Sequence, residues 1–589
     1  MKQVGMVLGS REAGALDFWV AVEEGQYLRL DDLVYVEFRH PDPRKGDANG
    51  NVRYYGMVDQ VVKLYEGSHF DTDVFLARRD LLPVSLSYAA HVQVTRLVPE
   101  EYLPPDPGSP VYLAQEEALG LALYYDRMQE QKLPVGLLKN GEVAYINFEF
   151  LNGFKGGHVN ISGVSGVAAK TSYATFLLHS IFQSSANPQK ANTKALIFNV
   201  KGQDLFYLDK ENSGLNQEVR AAYQRLGLPA TAFRSVAFLA PPRKTPGDIL
   251  ADAARPDASA YYWDLVQFCR DGLLPFLFAD RGTMSNLGFL IDQVTERLRR
   301  LAGDENSKEG QKGPYLVVDD WFDEPSTLEV NVSFSELGKL KITSFAQLVR
   351  YIEYKLLGPE SVEDEEKQKG DPRWTARQAR GTLEAFVRRL RAAIGNVEHL
   401  IRGDKIGKRP DPLGGQTQVC VVDIHQLSAQ GQMFVVGSIL REVFTRKERG
   451  EYQGRVFVVL DELNKYAPRD GESPIKDILL DIAERGRSLG VILIGAQQTA
   501  SEVESRVVGN AAIRVVGRLD AAEAERPEYR YLPPSFRQRA MILPQGTMIL
   551  QQPEVPVPLP VTFPLPAWAM KKEEAREDVS AERLSKLLD

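Results

Sequence analysis

The stretch His158–Gln183, HVNISGVSGVAAKTSYATFLLHSIFQ, constrains this chain more than any other. A short β-rich run ends at Gly163, a loop of small residues follows, and from Lys170 the apolar residues Ala174, Leu177, Leu178, Ile181 and Phe182 recur at helical spacing. Strand, small-residue loop and helix in that order make a phosphate-binding turn. Backbone N–H groups from Gly163, Ser165, Gly166 and Ala169 can close around phosphate oxygens, and the helix N-terminus opened by Lys170, Thr171 and Ser172 favours negative charge. Lys170 would reach terminal phosphates, and the Thr171 hydroxyl would ligate Mg²⁺. The pattern is of Walker A type, G-x-x-x-x-G-K-[ST], with Ala169 where glycine stands before the lysine and one extra residue counted from Gly163. An ATP site is the expectation, but a small-residue turn in another α/β protein would read the same until a second motif joins it.

The second motif is RVFVVLDE, Arg455–Glu462. Its apolar run reads as a buried strand delivering Asp461 and Glu462 to its C-terminal end, where α/β sheets place their ligands. Asp461 then serves as a Mg²⁺ ligand and Glu462 as the general base that polarises the attacking water. An apolar run ending in two acids is common, and its bland reading is a strand leading into a surface turn. VILIGAQQTA places Gln497 and Gln498 at the end of the next strand, where an amide can sense a γ-phosphate without adding charge; an ordinary loop amide is the alternative. DIAERGRSLG, just before that strand, offers Arg485 and Arg487, able to stabilise phosphoryl charge from a neighbouring subunit or simply to complement a helix C-terminus.

Around these motifs the chain reads as multidomain. Residues 1–103 hold short alternating runs such as LDFWVAVEE and LVYVEFRH, the pattern of a small β-barrel, and PPDPGSP at 104–110 reads as a linker. Residues 111–204 and 414–552 supply the short apolar runs of a parallel sheet wound with helices, an α/β P-loop (RecA-like) ATPase core. Residues 205–413 alternate helical patterns with charged loops and read as a mainly helical insertion. Residues 553–589 open with PEVPVPLPVTFPLP, too proline-rich for a central strand, and read as an extended arm followed by a surface helix.

A 589-residue chain with 43% apolar and 25% charged residues is ordinary globular protein, long enough for several domains. Its two cysteines, Cys269 and Cys420, are far apart and outside any C-x-x-C pair, which argues against a disulfide framework or a zinc site. With no eighteen-residue apolar run, no membrane association is expected and a cytoplasmic location is. The net charge of -8 disfavours a basic coat, but leaves room for a ring whose lumen is locally basic.

With these residues assembled, the chain resembles the HerA branch of the HerA/FtsK ATPases. The likeness runs in order through the small barrel, the phosphate loop, VVLDELNKYAP, AERGRSLGVILIGAQQTAS and VVGNAAIRVVGRL. It implies Lys170 and Thr171 as the Walker A pair, Asp461 and Glu462 as the Walker B pair, Gln498 as sensor and Arg487 as a trans-acting arginine finger. It further implies a homo-hexameric ring that hydrolyses ATP, moves double-stranded DNA as a translocase or helicase, and works with a NurA-type nuclease in DNA end resection and repair. Lys201, just past the second strand, is a candidate pore residue for contact with DNA phosphate. Two other readings stand beside this one: a nucleotide-binding ring scaffold that positions a nuclease or defence effector, and a protein or conjugation-substrate translocase differing only in cargo.

Overall fold

A computed structural model describes residues 2–164, 166, 170–202, 204–244, 249–278, 284–303, 312–318, 340–358, 370–471 and 474–576. Six strands near the N-terminus close a barrel: β1 (Gln3–Val7), β2 (Asp17–Val22), β3 (Leu33–Arg39), β4 (Asn51–Glu66), β5 (Ser85–Val98) and β6 (Pro110–Leu113), in the order β1-β2-β5-β4-β3-β6. Alternation sends Phe18, Val20, Val34, Val36, Tyr54 and Val92 into its interior. The barrel runs past the boundary read at residue 103. β6 pairs with β1 through Met6↔Pro110 and with β3 through Val36↔Val111, so the proline-rich run before it is the return path that closes the barrel.

The core is a twelve-stranded sheet built from β7 (Lys132–Leu137), β8 (Val143–Asn147), β9 (Val159–Ser162), β10 (Lys194–Asn199), β11 (Val236–Ala240) and β12 (Ser259–Ala260). Two small two-stranded sheets follow, β13 (Trp263–Asp264) with β16 (Ile401–Arg402) and β14 (Leu316–Val318) with β15 (Leu340–Ile342). The main sheet is completed by β17 (Val419–Asp423), β18 (Val456–Asp461), β19 (Val491–Gln497), β20 (Ile513–Val516), β21 (Thr547–Gln551) and β22 (Leu559–Thr562). Its order is β12-β11-β17-β10-β18-β19-β9-β20-β21-β22-β7-β8. Neighbours are parallel from β12 to β20 and antiparallel from there to β8.

Both faces of the parallel part are covered, which is why every residue of β10, β17, β18 and β19 is buried. On one face lies the helix Lys170–Gln183, burying Tyr173, Phe176, Leu177 and Ile181. On the other lies the helix Ala429–Glu448, whose Phe434 and Leu440 share a core with helices Leu265–Arg270, Met284–Ala302, Phe345–Leu357 and Arg380–Val397. The span 205–413 is therefore more than an insertion. Its apolar run VAFLA pairs with β17 as β11 and extends the main sheet, while its helices form a layer over Ala429–Glu448.

The proline-rich C-terminal segment also departs from expectation. Leu559–Thr562 sits between β21 and β7 in the sheet. Proline is tolerated there because the ladder to β7 consists of Thr562↔Leu137, so no β7 residue pairs with Pro560 and calls for the N–H it lacks. Beyond β22 the chain crosses its own core: the Trp568 ring stacks on His179 at 4.8 Å and meets Phe233 edge-on at 4.8 Å. Main-chain bonds Asn212 N–H to Ala567 O (3.0 Å), Ala569 N–H to Lys210 O (2.8 Å) and Leu205 N–H to Met570 O (2.8 Å) fasten this strap. The surface helix expected in the final residues lies largely outside the described residues, as does most of the charged stretch 362–373.

Candidate functional site

The sheet order brings the two sequence motifs together. β9 ends at the phosphate loop and β18 ends at Asp461, with β19 alone between them; Asp461 is level with Ala496, and Gln497 with Ser162. All three strands are parallel, so their C-terminal ends open on one edge, as ligand sites in such sheets do. Across that edge the Thr171 hydroxyl donates to Asp461 Oδ2 at 3.2 Å, joining residues 290 positions apart. These two oxygens are the hard donor set that Mg²⁺ takes.

The cleft they border has a volume of about 240 Å³. Gly166 is left-handed at φ 82°, a conformation that glycine adopts without strain, and it lines the cleft with Lys170, Thr171 and Ser172. Gly163 donates its N–H to Gln497 O (3.2 Å), anchoring the loop to β19. Ser165 and Ala169 lie outside the described residues. Lys170 is 5% exposed and its ammonium donates to Gly163 O at 2.6 Å. Burial pushes its pKa down to about 8; Asp461 and Glu462 oppose that fall, and Lys201 adds to it.

That depression has a measurable consequence. In the free protein Lys170 holds its proton fully below pH 7 and loses it as pH rises through about 8, whereas a bound phosphate anion favours the charged form. Triphosphate binding at pH 8.5 is therefore expected to take up more than about half a proton per site, and at pH 6.5 almost none from this group. Calorimetry in two buffers of different ionisation enthalpy checks this. Equal proton uptake at the two pH values would remove Lys170 from the phosphate.

Glu462 sits one residue beyond Asp461, in a left-handed conformation at φ 56°, with its N–H donating to Asp461 Oδ1 at 2.9 Å. A β-strand ending in a left-handed glutamate costs on the order of 1 kcal/mol or more, and such strain collects at functional sites. The two glutamines divide. Gln497 is fully buried and its amide donates to Asn160 Oδ1 (2.8 Å) and Ser162 Oγ (3.1 Å), tying β19 to β9, whereas Gln498 is exposed just past the end of β19, and neither it nor Glu462 is one of the residues lining the cleft.

Arg487 is at the other end of β19. A π-helical turn, Ile482–Gly486, leads into it, and the strand begins four residues later. The loop Asn152–Gly157 packs against it: Gly153 is left-handed at φ 88°, and a Cβ there would fall 2.6 Å from Arg487 O, so only glycine allows this approach. The guanidinium is exposed, pairs with no carboxylate among the described residues, and makes one long contact to Lys155 O at 3.5 Å. Seven strand residues, roughly 20 Å, separate it from its own cleft. Arg485 is engaged locally, donating to Glu448 at 2.5 Å.

Several lining residues lie outside the nucleotide motifs of the sequence, Lys201, Met570, Lys571 and Glu574 among them. Lys201 Nζ lies 2.7 Å from Asp461 Oδ2, competing with any cation for that oxygen. Met570, Lys571 and Glu574 come from the C-terminal strap and wall the cleft, with Lys571 Nζ 3.8 Å from Asp204. Lys201 carried a signal, a lysine just past a buried strand; nothing local marks the strap.

No family model matches the chain. No curated protein matches its sequence. Among solved structures, the chain is similar to VirB4 of Thermoanaerobacter pseudethanolicus, at 13% identity over 73% of this chain and 96% of that one, with a TM-score of 0.43. It is also similar to the bacterial conjugative coupling protein TrwB in an unbound form, at 12% identity over 77% and 93% and a TM-score of 0.44. A further likeness is to the plasmid coupling protein TrwB in complex with ADP and Mg²⁺, at 10% identity over 76% and 94% and a TM-score of 0.43. At these values the comparisons assign the chain to no family.

Proposed function

We propose that the protein is an ATPase of the HerA/FtsK type, a hexameric ring that couples hydrolysis to movement of double-stranded DNA. The observation that carries this reading is the 3.2 Å contact between Thr171 and Asp461, which joins a phosphate loop and an acidic strand end across one parallel sheet. Lys170 and the loop amides bind the triphosphate, Thr171 and Asp461 hold Mg²⁺, Glu462 accepts the proton of the attacking water, and Gln498 contacts the γ-phosphate. The bound Mg²⁺ neutralises charge on the phosphate oxygens. Arg487, remote from its own cleft and exposed, suits donation to the cleft of the next subunit, which requires a heterologous ring.

The proposed partner is a NurA-type nuclease in DNA end resection. Support for a protein partner comes from the tip of the β4–β5 hairpin and its connecting segment, where Phe70, Phe75, Leu81 and Leu86 are 76%, 66%, 68% and 61% exposed. Clustered apolar exposure of that kind marks interaction surfaces. Among the described residues no helix is long and apolar enough to cross a membrane, and Cys269 and Cys420 are both free and buried.

Duplex DNA is expected to stimulate ATP turnover, with stimulation falling steeply between about 50 and 200 mM salt because grip on phosphates is counterion-dependent. Steady-state ATPase assays across that range test it, and stimulation indifferent to salt would contradict phosphate gripping. One observation favours the ring scaffold instead: Lys201 already neutralises Asp461 at 2.7 Å. A scaffold would bind nucleotide and show no turnover with or without DNA and nuclease.

A further inference from the structure

Six arginines from four segments line a cavity of about 930 Å³ between the helical layer and the second half of helix Ala429–Glu448. Arg270 ends one helix, Arg299 lies on Met284–Ala302, Arg409 is on the loop before β17, and Arg441, Arg446 and Arg449 lie on or just past Ala429–Glu448. Against them stand four carboxylates, and these are committed to particular partners. Arg409 pairs with Asp271 (2.7 Å) and Glu442 (3.4 Å); Arg446 pairs with Asp411 (2.7 Å) and Glu451 (3.2 Å), and Arg449 reaches the same Glu451 at 3.8 Å. Arg270 donates to Gly303 O at 3.1 Å.

Arg299 and Arg441 are left facing the cavity with no carboxylate within ion-pair distance among the described residues. Arg441 donates to Gly272 O at 2.8 Å and lies 4.3 Å above the Phe276 ring, contacts that orient the guanidinium without neutralising it. Beside it Ser438, 3% exposed, is one of the cavity's lining residues, and its buried hydroxyl has no hydrogen-bond partner among the described residues. The unpaired hydroxyl disfavours the fold, and the half-buried Arg441 has Arg299 as a like-charged neighbour and, among the described residues, only the more distant Asp271 to offset it, so one anion held there would relieve both, with the exposed Arg299 free to turn onto it.

The geometry points to a second anion site, separate from the Lys170 cleft, that takes a small molecule carrying two or more phosphate groups between Arg299 and Arg441, with Ser438 donating to the same group. Planar guanidiniums match phosphate oxygens in paired hydrogen bonds, and multiple negative charges answer the excess of arginine over carboxylate. Burial and the nearby Arg299 push the pKa of Arg441 down to about 10 against the opposing pull of Asp271, a cost that a bound anion reverses. A volume of about 930 Å³ falls in the range of small-molecule pockets. The site is also far from the nucleotide. Ala429 follows the nucleotide edge of β17, and the twenty-residue helix carries Arg446 about 25 Å towards the opposite edge.

Inorganic tripolyphosphate is the probe, titrated calorimetrically into the full-length Lys170→Ala protein so that binding in the first cleft is removed. Saturable binding is expected, weakened at least about tenfold by Arg299→Glu, the scale of one charge-assisted hydrogen bond, and retained by Arg299→Lys. Ser438→Ala provides a second arm, since it removes a hydroxyl without a protein partner: the melting temperature should hold while tripolyphosphate affinity falls severalfold. Absence of saturable binding to Lys170→Ala, or binding unchanged by both Arg299→Glu and Ser438→Ala, overturns the site without touching the motor reading. Absence of ATP turnover in the parent protein, with this binding intact, would do the reverse.

Discussion

Glu462→Gln is expected to bind ATP with near-normal affinity and to turn it over about 10²–10⁴-fold more slowly, the span assigned to a positioned general base. The substitution suits the question because it preserves shape. Gln keeps the left-handed backbone at φ 56° and the N–H bond to Asp461 Oδ1 at 2.9 Å, so the strand end should hold its form. What it loses is the capacity to accept a proton. Lys170 and Thr171 still meet the phosphates, and Asp461 still offers its oxygen across 3.2 Å. Single-turnover hydrolysis measured beside equilibrium nucleotide binding separates the two effects, and turnover within a few-fold of the parent would place the base elsewhere. A parallel loss of binding would mean that Glu462 shapes the cleft through its charge on Lys170.

The second large effect belongs to Arg487. Arg487→Ala is expected to lower turnover about 10³–10⁵-fold in the assembled ring, the range measured for arginine fingers, while leaving nucleotide affinity of isolated subunits unchanged. The expectation rests on position. Arg487 precedes β19 and the cleft lies past its far end, so one chain cannot bring the two together without unravelling a fully buried strand. Among the described residues no carboxylate pairs with the guanidinium, and Gly153 gives the loop beside it the clearance it needs. Native mass spectrometry alongside the assay ensures that the ring persists. A variant that still forms rings and hydrolyses ATP normally would assign Arg487 to the surface.

The parts of this fold legible in the sequence are those encoded locally. β10, β17, β18 and β19 are buried on both faces, so each carries a continuous apolar run of four to six residues that needs no knowledge of its neighbours. The phosphate loop and the Asp461–Glu462 pair are legible for the same reason: the chemistry demands particular side chains at fixed offsets. The barrel was visible as alternating strands, yet its closure was not. β6 is four residues long and gains its partners from Gln3–Met6 and Val34–Val36, contacts that no local pattern announces.

The C-terminal segment was misread because proline content weighs against a central strand, and the rule failed where one side of β22 is almost unpaired. The return of the strap across the core is likewise set by distant partners. Trp568 looks like any aromatic in a polar tail until His179 and Phe233 are beside it, and Met570 and Lys571 then arrive at the cleft from 400 residues away. Likewise Gln497 and Gln498 are indistinguishable as neighbours in sequence. Strand alternation turns the first into the sheet, against Asn160 and Ser162, and leaves the second at the edge.

The central claim is that each active site is shared, with Lys170, Asp461 and Glu462 from one subunit and Arg487 from the next. Mixing two inactive proteins, Glu462→Gln and Arg487→Ala, tests it directly. In a ring of mixed subunits, an Arg487→Ala subunit supplies an intact Glu462, and an adjacent Glu462→Gln subunit supplies an intact Arg487, so about a quarter of the interfaces in an equimolar random ring regain every group. The account predicts ATPase activity that appears on mixing and subunit exchange, at a substantial fraction of the parent rate. Mixed rings, verified by mass, that remain as inactive as either variant alone would contradict it.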